Sequence, residues 1–316
     1  MLQNNVLKLI SEQCVNWELA FKNYTNLSKL QQRVIEVNGL PVQLQFNPAR
    51  IQSSAAKTDK QSITERACFL CAKNRPLQQQ KITVELESKT HRTYDILVNP
   101  FPIFKKHLTI AETNHCEQLL SGRIVDMLEL AKKLPCFTLF YNGAECGASA
   151  PDHFHFQVCE KGNIPIDNNS LHKSCFFQSH QLSIHTKLYL SKSDFLRSAL
   201  VVKSDDLNDI THYFKRIYVF LSNGNKKEPM MNILCNFDTN QYKLIIFPRL
   251  AQRPTAFYEE GDKQIIVSPA SVEMGGKIIL PRAEDFNKLK REHIISIYKQ
   301  VSLFIDNKKI IDYLKS

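Results

Sequence analysis

One seven-residue stretch, Asp152-His153-Phe154-His155-Phe156-Gln157-Val158, constrains the fold more than any other. Polar and apolar residues alternate through it. A period of two is that of a β-strand, whose successive side chains point to opposite faces. Phe154, Phe156 and Val158 are predicted to face a core, and His153, His155 and Gln157 to share the other face. Same-face neighbours then stand about 6.5–7 Å apart, at roughly 3.3 Å per residue. Lys, Thr or Glu would better serve a face that needs only solvation, so two imidazoles and an amide in a row point to chemistry. A lone histidine would more simply hydrogen-bond within the sheet. Upstream, Asn142 to Pro151 is a loop of small residues. Its amides around Gly147 and the Ser149 hydroxyl can approach a phosphate closely.

His153-Phe154-His155-Phe156-Gln157 resembles the His-x-His-x-Gln signature of the nucleotidyltransferase branch of the histidine-triad superfamily. That branch holds galactose-1-phosphate uridylyltransferases, diadenosine tetraphosphate phosphorylases and GDP-L-galactose (GDP-hexose) phosphorylases. Asn99-Pro100-Phe101-Pro102-Ile103 with His107-Leu108-Thr109-Ile110 is similar to the segment before the family's central strand. Ser268 to Gly276, then Pro281 to Phe286, is similar to the C-terminal part of the GDP-hexose phosphorylases. The resemblance covers roughly residues 60 to 290. It implies an enzyme whose catalytic residues are His155, as nucleophile, and Gln157, as amide donor to the transferring phosphoryl group. Gly147 and Ser149 would hold the leaving diphosphate, with Asp152 counted on the substrate side. The uridylyltransferases carry Pro between the histidines where this chain has Phe154. Together with Phe156, that resembles the GDP-hexose phosphorylases and implies phosphate as acceptor. The alternatives are a hexose-1-phosphate uridylyltransferase, a dinucleoside-polyphosphate phosphorylase, or a non-catalytic nucleotide-binding protein. The family also implies a homodimer.

Cys68-Phe69-Leu70-Cys71 is half of a tetrahedral metal site. A redox pair would open a helix after a strand, and that context is missing. Two structural thiols are the remaining reading. The motif resembles the zinc-binding pair of the uridylyltransferases. The likeness implies structural zinc held by Cys68, Cys71, His115 and His153, with His107 competing for the third place.

The rest of the chain reads as α+β. Residues 3–22 follow helical spacing, and 30–46 form a hairpin turning at Asn38-Gly39. Residues 47–62 are loop-like, with 49–60 a candidate mobile segment. Strands are expected at 81–86, 94–98, 107–110 and 137–141, with a crossover helix over 117–134. After a strand at 199–202 and a helix that Ser204, Asp205 and Asp206 cap and Asn223-Gly224 end, strands follow at 231–235 and 242–247. That order repeats the first half without its histidines. The expected organisation is a histidine-triad-like fold of antiparallel sheets with crossover helices and two degenerate repeats. Its parts are an N-terminal segment 1–62, a catalytic half 63–190 and a degenerate half 191–316. A last long helix is expected over 283–304 and a basic tail from 308.

No apolar run approaches the roughly 20 residues of a membrane span, and no secretory leader is visible at the N-terminus. The nine cysteines follow no disulfide framework, which suits a cytoplasmic protein with reduced thiols. The net charge of +10 suits anionic partners, here a nucleotide sugar and phosphate. The basic residues are dispersed and no nucleic-acid-binding motif appears, so neither nucleic acid nor membrane is an expected partner. Arg66, Arg249, Arg253 and Lys277 are secondary candidates for gripping phosphate, each by its place near a motif.

Overall fold

The computed structural model describes residues 2–55, 60–87, 91–167, 176–222, 224 and 227–316. In chain order the elements are α1 (Leu2–Asn16), α2 (Glu18–Leu27), β1 (Gln32–Val37), β2 (Leu40–Phe46), α3 (Ile51–Ser54), α4 (Lys60–Glu65), β3 (Lys81–Glu85), β4 (Thr93–Val98), β5 (His107–Glu112), α5 (Ile124–Lys133), β6 (Phe137–Asn142) and β7 (His155–Glu160). There follow β8 (Phe177–Gln181), β9 (Thr186–Ser191), β10 (Leu200–Ser204), α6 (Leu207–Leu221), β11 (Met231–Asp238), β12 (Gln241–Pro248), α7 (Ser271–Met274), β13 (Lys277–Leu280), α8 (Ala283–Lys288), α9 (Arg291–Val301) and α10 (Asn307–Lys315).

Among the described residues, ten strands form one sheet in the order β3-β4-β5-β7-β6-β11-β12-β10-β9-β8. Read outward from its centre, the sheet is the same five-strand pattern twice, since β8-β9-β10-β12-β11 repeats β3-β4-β5-β7-β6. The crossover helices α5 and α6 occupy matching places between the third and fourth strands of each copy. All the pairings within this sheet are antiparallel. The duplicated α+β fold expected from the sequence is therefore the one observed.

Alternation decides which face each strand buries. Phe156 and Val158 of β7, with Phe154 just before it, join the core under α1, α5, α6 and α10. Cys159 points the other way, to a core covered by β1, β2, β13, α8 and α9. The small sheet on that side runs β1-β2-β13, with β2 parallel to β13. The hairpin turns at Asn38 and Gly39, with φ of 54° and 78°, the left-handed pair that a two-residue turn requires.

Several elements differ from their sequence reading. The helix over 117–134 begins only at Ile124, because Gln118 is spent elsewhere, bridging the carbonyls of Asn142 and His155. His153 lies before β7, not on it. The first helix breaks at Trp17, whose backbone is extended. The long final helix is two, α8 and α9, parted at Leu289-Lys290. The basic tail is the amphipathic α10, which buries Ile310 and Leu314. Of the supposed mobile stretch, residues 56–59 lie outside the described residues, while Pro48–Arg50 form a turn of 3-10 helix leading into α3. Asp206 caps α6 by accepting from the Asp209 amide at 2.7 Å, helped by Ser204, which accepts from the Asp206 amide at 3.1 Å. Asn223, expected to end that helix, lies outside the described residues.

Candidate functional site

β7 sits between β5 and β6, so the residues that open it are walled on both sides by sheet. Ala111 faces His155 from β5, and Thr109 faces Gln157. His155 is 4% exposed. Its Nδ1 lies 2.8 Å from the His153 carbonyl. A carbonyl only accepts, so Nδ1 carries the proton and Nε2 the lone pair. Burial pulls its pKa down to about 4, which keeps the ring neutral at physiological pH.

His107, second choice as metal ligand in the sequence reading, holds Gln157 instead. Its Nδ1 accepts from the Ile103 amide at 3.1 Å, so its Nε2 is the protonated nitrogen and donates to Gln157 Oε1 at 2.9 Å. The Gln157 oxygen is thereby occupied, and its NH2 remains for a ligand. Burial, with Arg50 nearby, pushes the His107 pKa down to about 3. The unfolded chain protonates this ring below about pH 6.5, whereas the folded protein does so only near 3. Its contribution to stability is therefore complete above pH 6.5 and falls as pH drops toward 3. The expected loss is about 2–3 kcal/mol by pH 4.5. Denaturant titrations at pH 7 and 4.5 should show that loss to be smaller in His107→Gln. Equal pH dependence in the two proteins would contradict it.

Ser149 lines two cavities that meet beside these groups. One, of about 520 Å³, has a largely apolar wall including Trp17, Phe69, Leu97 and Phe101, with Arg50, Arg66 and Thr109 as polar groups. It has the size and character of a site for a planar ring with a phosphate attached. The other is small and polar, lined by Arg50, Asn142, Gly147, Gln157 and Glu273 among others. Gly147 has φ of +110°, and a Cβ there would come within 2.5 Å of the Ala270 Cβ. Glycine therefore lets the small-residue loop press against the start of α7. Asn142 accepts from both the amide and the hydroxyl of Ser271, at 2.9 and 2.6 Å, and so keeps its NH2 for other partners. Asp152 pairs with Arg66, whose guanidinium lies over the Phe69 ring. The carboxylate therefore orients a cation at the cavity wall.

Arg50, Asn142 and Glu273 were missed by sequence reasoning. Nothing local marks Arg50, which comes from a loop-like stretch, and Asn142 was legible only as the start of the small-residue loop. Of the secondary candidates, Arg249 is fully engaged inside, donating to Asn232 and to the carbonyls of Pro269, Ala251, Gln252 and Val301. Its role is to tie segments together. Arg253 stacks on Phe257 and donates to Ser268. Lys277 is buried near the Phe104 ring.

Cys68, Cys71, His115 and His153 converge, with one ligand atom from each lying within 4.8 Å of all the others. His153 Nδ1 is 3.3 Å from Cys68 Sγ, 3.5 Å from Cys71 Sγ and 3.3 Å from His115 Nδ1. Zn–S bonds of about 2.3 Å and Zn–N bonds of about 2.0–2.1 Å in a tetrahedron give edges of roughly 3.5 Å for S···N and 3.3 Å for N···N. His153 Nε2 donates to the Glu112 carbonyl at 2.7 Å, which fixes the tautomer that leaves Nδ1 to a metal. The four residues fit a closed tetrahedral site, and His107 has no part in it.

Residues 9–160 match the family described as a domain of unknown function (DUF4922), and residues 175–309 match the GDPGP1-like, C-terminal domain. No curated protein matches the chain by sequence. Among solved structures, yeast Ap4A phosphorylase Apa2 in complex with AMP is 15% identical with a TM-score of 0.62, over 95% of this chain and 96% of that one. The same yeast enzyme in complex with Ap4A is 14% identical with a TM-score of 0.60, over 95% and 97%. At these identities the likeness is one of fold, and it extends through both halves of the chain.

Proposed function

We propose, from the premise that this chain carries the fold and motif of the nucleotidyltransferase and phosphorylase branch of the histidine-triad superfamily, that it moves a nucleoside monophosphate through a histidine adduct. His155 Nε2 attacks the α-phosphorus of a nucleotide sugar, an N–P bond forms, and the bond to the bridging oxygen breaks. The hexose 1-phosphate leaves with that electron pair. Positive charge on the imidazole is stabilised through Nδ1–H by the His153 carbonyl. Inorganic phosphate then attacks the same phosphorus, the N–P bond breaks, and a nucleoside diphosphate is released with His155 neutral again. The Gln157 NH2 donates to a non-bridging oxygen in both steps.

One observation carries this reading. The buried His155 is held neutral with its lone pair on Nε2, two residues along the strand from an amide whose oxygen His107 has already taken. A nucleotide-binding protein without chemistry has no need to fix both groups. The donor we assign is a GDP-hexose and the acceptor phosphate, which rests on Phe154 and Phe156 in the motif and agrees with the family matched over residues 175–309. Zinc at the four-ligand cluster would be structural. With every ligand position supplied by protein it leaves no place for a reacting water.

The test is incubation with GDP-hexose, UDP-hexose or diadenosine tetraphosphate, each labelled at the phosphate that would be transferred. An acid-labile, base-stable label on the peptide holding His155 is expected, strongest with GDP-hexose and discharged as GDP when phosphate is added. A label only from diadenosine tetraphosphate would keep the mechanism and replace the substrate. No label from any donor, with nucleotide still bound, would leave a binding protein.

A further inference from the structure

The second half of the sheet has its own version of the nucleophile's position, and it is cationic. In the first half β6 and β7 pair so that Phe137 faces Glu160, and in the second β11 and β12 pair so that Met231 faces Pro248. Laying one pair on the other puts Lys243 where His155 stands and Asn236 where Asn142 stands. The third strands agree, since Ala111 faces His155 and Lys203 faces Lys243. Lys187 of β9 faces Lys203 in turn, so three lysines lie side by side across three strands. Like charges directly opposite one another in a sheet are destabilising. A row of three lysines therefore weakens the sheet wherever nothing negative sits on it.

A cavity of about 370 Å³ opens over Lys203 and Lys243 of this row, with Lys161 and Asn236 among its other lining residues. Its acidic groups are Asp167 and Asp238. Asp167 is buried and already engaged: it accepts from Thr138 at 2.7 Å and from Asn236 at 3.1 Å, with the Lys243 ammonium 3.9 Å away. Asp238 lies 3.7 Å from Lys161. Lys203 has no carboxylate partner among the described residues, and its ammonium lies 5.4 Å from the Tyr189 ring centroid.

The geometry points to a second anion site in the non-catalytic half, in which Lys161, Lys203 and Lys243 hold the phosphate group of a small phosphorylated molecule. The cavity is large enough for a sugar-sized body beyond the phosphate. This inference stands whether or not the first half transfers nucleotides.

Pyridoxal 5′-phosphate carries both a phosphate and an aldehyde that condenses with a neutral lysine amine, releasing water. Burial lowers the pKa of Lys203 and of Lys243, which favours that reaction there. The full-length protein is treated with the probe, the imine is reduced with borohydride, and labelled peptides are mapped. Labelling is expected to concentrate on Lys203 and Lys243, and pyridoxal lacking the phosphate should label them far less. Inorganic phosphate and glucose 1-phosphate are added as competitors in separate arms. Equal protection identifies the phosphate group alone as the ligand, and stronger protection by the sugar phosphate identifies a phosphomonoester. Lys203→Gln, a change at a half-buried position, should weaken protection of Lys243 about tenfold or more and leave turnover unchanged. Labelling spread over surface lysines, or protection by neither competitor, would overturn the proposal.

Discussion

Replacing His155 with alanine is expected to abolish both adduct formation and turnover, a loss on the order of 10⁴-fold or more, as for removal of a covalent nucleophile. Nucleotide binding should survive, because the cavity walls formed by Trp17, Phe69 and Leu97 do not depend on the imidazole. Gln157→Ala should behave differently. The adduct still forms, but more slowly by about 10²–10³-fold, since one preorganised donor to the phosphoryl oxygens is gone. His107→Gln should mimic much of that loss without touching substrate, because its effect runs through the Gln157 oxygen. The double variant should then be little worse than Gln157→Ala alone, the non-additivity of two residues acting as one unit. Single-turnover kinetics on the labelled donor separate these outcomes. Near-normal turnover by His155→Ala would remove the covalent mechanism altogether.

Replacing Cys68 is the second large effect expected. Cys68→Ser should strip the chain of about one bound zinc and lower stability by roughly 3–5 kcal/mol. For a chain of this size that is a fall in melting temperature of about 10 °C. The remaining three residues, His153 among them, would no longer complete a tetrahedral set. His153 joins this cluster to β7, because its carbonyl also accepts the hydrogen bond from His155 Nδ1–H. Some loss of rate should therefore accompany the loss of stability, and the stability change should be the larger. Metal analysis of protein purified without chelator, with calorimetry of both forms, is the measurement. No metal in the unmodified protein, or identical melting of the two, would contradict it.

The sequence displayed those parts of the fold that depend on local period. Phe154, Phe156 and Val158 could be assigned to the core because a strand allows only two faces. The duplication was visible because strand, helix, strand, strand recurs in order. The histidine stretch could be singled out because its residues are consecutive, whereas the convergence of Cys68, Cys71, His115 and His153 was legible only through the resemblance. His107 was misread because its function comes from a partner fifty residues away, and spacing does not show which nitrogen of a ring is occupied. Arg50 was invisible because it reaches the cavity from a turn whose position is set by the strand before it. The break between α8 and α9 escaped notice because apolar spacing continues through it, with Phe286, Leu289 and Ile294 buried on both sides. The charge of the C-terminal segment hid its two buried residues, Ile310 and Leu314, four positions apart and on one helical face.

The parallel pairing of β2 with β13 has a consequence for how the molecule is made. Gln43 lies beside Lys277, and Asn47, at the exit of β2, gives its amide to the Leu280 carbonyl at 2.9 Å. The turn that carries Arg50 begins at the next residue. During synthesis β7 with its histidine motif, the Cys/His cluster and the small-residue loop all emerge before β13 does. Arg50 can take its place only once β13 has emerged and paired with β2. Loop closure over such a separation is slow, so the pairing of β2 with β13 is expected to be a late folding event. Nascent chains halted before residue 277 should hold the histidine motif and yet lack a finished cavity wall at Arg50. The lining of the cavity would then be complete only after β13 has been made.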